Sequence, residues 1–125
     1  MNEITVILNC YKRPEYLKEQ IEAIENQTIK PKEIWIWYNS PEDREQINLN
    51  EKYGKYKIIQ SNHNFKFHAR FALGLLAQTE YVCFFDDDTI PGRLWFENCL
   101  KTMDVVGDSI LGTTGVILNE FKNKF

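Results

Sequence analysis

Tyr81-Val82-Cys83-Phe84-Phe85-Asp86-Asp87-Asp88-Thr89-Ile90-Pro91-Gly92 is the stretch whose reading decides the fold. An uninterrupted apolar, aromatic and β-branched run meets three carboxylates, and a Pro-Gly pair then turns the chain. A run this short and this apolar reads as a parallel strand buried on both faces. Adjacent carboxylates cannot lie inside such a strand, because desolvation and mutual repulsion oppose every charge. They belong at its C-terminal end, the edge where open α/β sheets bind ligands. Clustered carboxylates at neutral pH suit a hard divalent cation with oxygen ligands, Mg²⁺ or Mn²⁺.

Outward from this stretch, strand and helix patterns alternate. Glu3 to Asn9 is nearly continuous in apolar and β-branched residues and reads as a first strand. Pro14 suits the first turn of a helix, and Leu17, Ile21 and Ile24 recur at helical spacing up to about Asn26. Glu33 to Tyr38 is a second strand, ended by the turn cluster Asn39-Ser40-Pro41, with Trp35 and Trp37 expected in the core on opposite faces. Residues 42–55 are polar and carry one short helix, and Tyr56 to Gln60 is a third, edge-like strand. Phe67, Phe71 and Leu75, with Ala72 and Leu76, mark the core-facing stripe of a third helix. The carboxylate-bearing strand follows as the central one. Phe96, Leu100 and Met103 then mark a fourth helix that ends near Gly107. Ser109 to Leu111 and Val116 to Leu118 read as short strand pieces.

This alternation predicts one α/β domain with a doubly wound, mostly parallel sheet and helices on both faces. The loops after the first, second and fourth strands then share one rim. Tyr11, Arg13, Asn39 and Asp86 to Asp88 should therefore converge.

Composition narrows the function classes. The 125 residues are 43% hydrophobic and 26% charged, ordinary for a globular domain. A net charge of −3 offers no electrostatic case for nucleic acid. No basic amphipathic face, signal peptide or membrane-spanning run is visible, so a cytoplasmic, soluble location is expected. Cys10, Cys83 and Cys99 form no CxxC pair and read as small hydrophobes in a reducing compartment. His63 and His68 are poorly spaced for joint ligation on one helix face and read as non-ligands.

The shared rim suits a nucleotide. Asn39 carries a donor and an acceptor for a base edge, and Tyr11 a ring to stack. Arg13 and Arg70 carry cationic forks for a diphosphate or a base carbonyl. A cation held by the carboxylates would neutralise a diphosphate and make it a better leaving group.

At this point the chain resembles a known family. Ile4 to Pro14 is similar to the opening strand and loop of family 2 and related GT-A glycosyltransferases. Asn62-His63-Asn64 through Arg70, then Thr79-Glu80-Tyr81 into Phe85-Asp86-Asp87-Asp88, resembles their third strand, third helix and DxD motif. The Trp37-Tyr38-Asn39-Ser40 strand end lacks the acidic pair common in family 2 and is more similar to the exostosin-like branch. The resemblance implies transfer of a sugar from a UDP- or GDP-sugar to a hydroxyl of a glycan or protein acceptor. It implies Asp88 as direct metal ligand, with Asp86 and Asp87 on the ribose or reaching the metal through water. It implies Tyr11, Arg13, Asn39, Asn64 and Arg70 around the nucleoside and phosphates. The resemblance also implies a domain that runs well beyond 125 residues, whose later half normally supplies the acceptor site, the catalytic base of inverting members and often a further metal ligand. This chain is therefore expected to be the donor-binding part, with no residue matched to that base.

Two alternatives stand beside this reading. One is a non-catalytic module that binds a nucleotide-sugar. The other is a haloacid-dehalogenase-type phosphatase, with Asp86 as nucleophile and Asp88 as general acid/base. Those enzymes carry the motif on their first strand and need further strands after it.

Overall fold

The structure, a computed structural model, describes residues 2–12, 14–39 and 49–113. Among them the order is β1 (Ile4–Cys10), a 3₁₀ turn (Pro14–Tyr16) running into α1 (Leu17–Glu25), β2 (Glu33–Tyr38), α2 (Leu49–Tyr53), β3 (Lys57–Gln60), α3 (Ala69–Gly74), β4 (Tyr81–Phe85) and α4 (Trp95–Val106). The four strands form one sheet in the order β3-β2-β1-β4. All three pairings are parallel, with Val6 opposite both Ile34 and Cys83. The chain steps outward from β1 to β3, then crosses back to the far side of β1 as β4. The winding direction therefore reverses between β1 and β4, and their C-terminal ends frame a topological switch point.

A strand's two-residue period divides the core. Ile4, Val6, Leu8 and Cys10 face one side with Ile34, Ile36, Tyr38 and Phe85. Leu17, Ile21 and Ile24 of α1 and Phe96 and Leu100 of α4 cover them. Ile7, Trp35 and Trp37 face the other side, packed with Ile59, Val82 and Phe84 and covered by Ala69, Leu73 and Ala77. Helices thus flank both faces, as the alternation implied.

Four expectations are corrected. Trp35 and Trp37 share one face, because residues two apart on a strand return to the same side. β4 is an edge strand among the described residues, and of its residues only Phe85 is fully buried. Phe67, Phe71, Leu75 and Leu76 are exposed rather than core, Phe67 by 70% and Leu75 by 87%. Ser109 to Leu111 forms no strand. The second expected piece, Val116 to Leu118, lies outside the described residues. No helix among the described residues is long and apolar enough to cross a membrane.

Candidate functional site

A cleft of about 660 Å³ opens at the switch point, lined by Tyr11, Asn39, Asn64, Arg70 and Asp86 to Asp88 together with Asn9, Lys66, Phe67 and Phe71. Every described residue that the sequence assigned to the site lies here; Arg13 lies outside the described residues.

The carboxylates occupy a tight turn. Thr89 N–H donates to the Asp86 carbonyl at 3.1 Å, closing the turn directly after β4. The three side chains then part company. Asp86 is exposed and forms an ion pair with the guanidinium of Arg70. Asp87 turns inward and is only 9% exposed. Its charge acts on Cys10 below it: burial first, and then Asp87 and Glu15, push the Cys10 thiol up to about 12. Asp88 is exposed on the cleft side. Arg70 is itself held, since its Nε donates to the Phe67 carbonyl at 3.1 Å.

Two buried glutamines lie behind this rim, and only the first bonds the carboxylate turn itself. Gln20 of α1 donates through Nε2 to the carbonyls of Asp86 at 2.6 Å and Thr89 at 2.8 Å. Gln27 donates to the Gly92 carbonyl at 2.6 Å and accepts the Phe96 N–H at 3.2 Å, seating the start of α4. Sequence reading overlooked both. The signal was there: Gln20 sits among Leu17, Ile21 and Ile24 on the buried stripe, where an amide must find polar partners.

The opposite wall is a laced set of loops. Asn39 is 3% exposed, and its side chain is fully engaged as a donor. Its Nδ2 donates to Asn64 Oδ1 at 3.2 Å and to the Lys66 carbonyl at 3.3 Å, and its Oδ1 accepts the Phe65 N–H at 3.1 Å. Asn64 in turn donates to the Tyr11 hydroxyl at 3.3 Å and accepts the Lys66 N–H at 2.9 Å. Lys66 sits at φ 62°, in the left-handed region, which this lacing stabilises. The loops after β1, β2 and β3 are thereby tied across the cleft.

A second cleft of similar volume lies at the other rim, between Lys30, Lys32, Lys55 and Lys57. Its cations are already engaged: Lys30 with the Glu25 carbonyl, Lys32 with Glu3, Lys55 with Glu25 and Lys57 over the Trp35 ring. The switch-point cleft is the better candidate. Among the described residues, no cluster of three or more His, Cys, Asp or Glu side chains is arranged to hold a metal by itself.

Comparison with known proteins bears on the fold and the family. The crystal structure of S. aureus TarS 1-349 in complex with UDP-GlcNAc superposes with a TM-score of 0.65 at 21% identity, covering 96% of this chain and 38% of that one. The complex of the same protein with UDP gives 0.65 and 21%, covering 96% and 39%. A longer S. aureus TarS structure gives 0.63 and 22%, covering 82% and 20%. The chain thus spans well under half the length of these structures, and the likeness shows the GT-A fold. The comparison with curated protein sequences returned no match. The model of the family described as glycosyl transferase family 2 matches residues 5–124, nearly the whole chain, and the chain belongs to that family.

Proposed function

We propose that the switch-point cleft binds the nucleoside diphosphate of a sugar donor, and that the protein passes the sugar to a hydroxyl of a glycan or protein acceptor. One observation carries this reading: the Arg70–Asp86 pair, the exposed Asp88 and the Tyr11–Asn64 wall meet in one cleft at the C-terminal ends of β1 and β4. Neighbours of the same fold hold UDP-GlcNAc and UDP, which makes a UDP-sugar the first donor to test and a GDP-sugar the second.

In this reading Tyr11, Asn39 and Asn64 shape the nucleoside end of the cleft. Arg70 presents its fork to the diphosphate, in exchange for or alongside Asp86. Asp87 and Asp86 face the ribose. The family resemblance adds Arg13, which lies outside the described residues, as a candidate for the phosphates.

The residues present fit a divalent cation of a particular kind. Mg²⁺-like ions are held by one or two carboxylates plus substrate phosphates and waters, and need no all-protein cage. In this reading Asp88, with Asp86 beside it, would supply that minimum. When bound, Mg²⁺ or Mn²⁺ would offset the diphosphate charge and improve it as a leaving group. The phosphatase alternative finds no support: the acids follow β4, not the first strand.

Calorimetry of the full chain with UDP and GDP, with and without Mn²⁺, tests the reading. Metal-dependent binding of one nucleotide is the expected result. Sugar transfer from the matching donor, followed with a panel of acceptors, then separates an enzyme from a binding module. No binding with or without metal would overturn it.

A further inference from the structure

We propose that Gln20 is a positioning residue that sets the carboxylate turn for its ligand, an inference that rests on the donor-site reading above. The turn Asp86 to Thr89 faces a local conflict. Three consecutive negative side chains repel one another, and short turns of such composition have several backbone arrangements of similar energy. Here they adopt one, with Asp86 toward Arg70, Asp87 inward and Asp88 on the cleft. The Thr89 to Asp86 hydrogen bond closes the turn but does not anchor it to the rest of the molecule. Gln20 does. Its amide has two N–H bonds on one nitrogen, and it places one on the carbonyl at each end of the turn, at 2.6 and 2.8 Å.

The donor is dry. Gln20 is 1% exposed and lies between the buried Leu17 and Ile21 and Ile24 on the core stripe of α1. Its contacts are bonds to backbone, so they fix the turn without competing for the carboxylates. α1 follows directly from the loop that carries Tyr11, so the same element registers the acidic side of the cleft against its first loop. Gln27 gives an internal contrast. It is similarly buried and also bonds backbone, but its partners are Ala23 within α1 and Gly92 and Phe96 beyond the acidic turn. Loss of either amide should cost stability, whereas only loss of Gln20 should unsettle the ligand-facing acids.

The test compares Gln20→Met and Gln27→Met, both near-isosteric and both lacking the amide. Amide exchange without ligand reads the turn, and calorimetry with Mn²⁺ and UDP reads the site. With Gln20→Met, exchange at Thr89 should accelerate about tenfold and affinity for UDP in Mn²⁺ should fall about tenfold. Gln27→Met should lose comparable thermal stability and keep its affinity. Should Gln20→Met not fold, Gln20→Asn, which retracts the amide by one methylene, carries the same expectations. Equal affinity in the Gln20 variant and the parent overturns the inference alone. So does an equal loss in the Gln27 variant, since both would then report general destabilisation. If the parent binds no nucleotide under any metal condition, the donor-site reading fails and this inference falls with it.

Discussion

Arg70 and Asp86 are joined at the mouth of the cleft, but unequally placed: the arginine side chain is 11% exposed and the aspartate 61%. A pair with so wet a partner contributes little to stability, on the order of 0–1 kcal/mol. We therefore expect Arg70→Met to change the urea midpoint little and to weaken UDP binding at least about tenfold, the loss of one charge-assisted contact. Asp88→Ala should abolish metal-dependent nucleotide binding while leaving the unfolding curve nearly unchanged; calorimetry with and without Mn²⁺ reads it directly. Asn39 is the opposite case. Asn39→Ala leaves the Phe65 N–H and the Lys66 carbonyl without their partner, a loss of about 1–3 kcal/mol in urea unfolding. The same variant should discriminate less between UDP and GDP, because the loop bearing Asn64 loses its seat. The carboxylates and Asn39 were legible as residue types at strand ends, and Arg70 as a cation at the start of α3. That the donor capacity of Asn39 is spent on the neighbouring loop was not, since hydrogen-bond partners far along the chain leave no local pattern.

At the scale of elements, α3 is instructive. Its sequence offers two apolar stripes with the same period, Phe67–Phe71–Leu75 and Ala69–Leu73–Ala77, and the bulkier one invites assignment to the core. The sheet beneath decides otherwise. Trp35, Trp37 and Phe84 already fill that face, so the helix approaches on its small residues and the large ones turn outward. Phe71 keeps an edge contact with Phe84, ring centroids 5.1 Å apart. Gly74 marks the closest approach: a Cβ there would stand 2.8 Å from Phe84 Cζ. Helix propensity favours alanine over glycine by roughly 1 kcal/mol, whereas overpacking costs about 1–3 kcal/mol. Gly74→Ala should therefore be net destabilising, and Gly92→Ala, with open space around it, should be near neutral in the same urea experiment. Leu75→Ser should stay within about 0.5 kcal/mol of the parent, and Leu73→Ala should cost several times more.

Over the whole molecule, protonation follows packing. Burial pushes the thiols of Cys10 and Cys83 up to about 12, so both are neutral at any ordinary pH. We expect a thiol reagent at pH 8 to label them only on unfolding, with Cys99, the shallowest in its burial, labelled first; mass spectrometry of the labelled peptides gives the order. The far rim carries a pH-dependent tie. The Tyr56 hydroxyl hydrogen bond, aided by Lys55, holds the Glu25 carboxyl below its ordinary 4.5. A depressed carboxylate contributes stability that is present above 4.5 and is lost as pH falls through the folded-state value. Tyr56→Phe should remove the larger part of that slope, seen as a flatter loss of urea stability below pH 4.5.

The sequence alone settled what depends on local periodicity and on the cost of burying charge. Two-residue and 3.6-residue patterns assign strands and helices, and the intolerance of a sheet interior for three carboxylates sends them to its ligand-binding edge. Tertiary structure decided what depends on which face meets which. It set β4 beside β1, chose the small-residue stripe of α3, turned both tryptophans to one side, and brought Gln20 against the acidic turn. Those outcomes follow from sheet order and from the volume already filling each face, and neither quantity is written in any single segment of the chain.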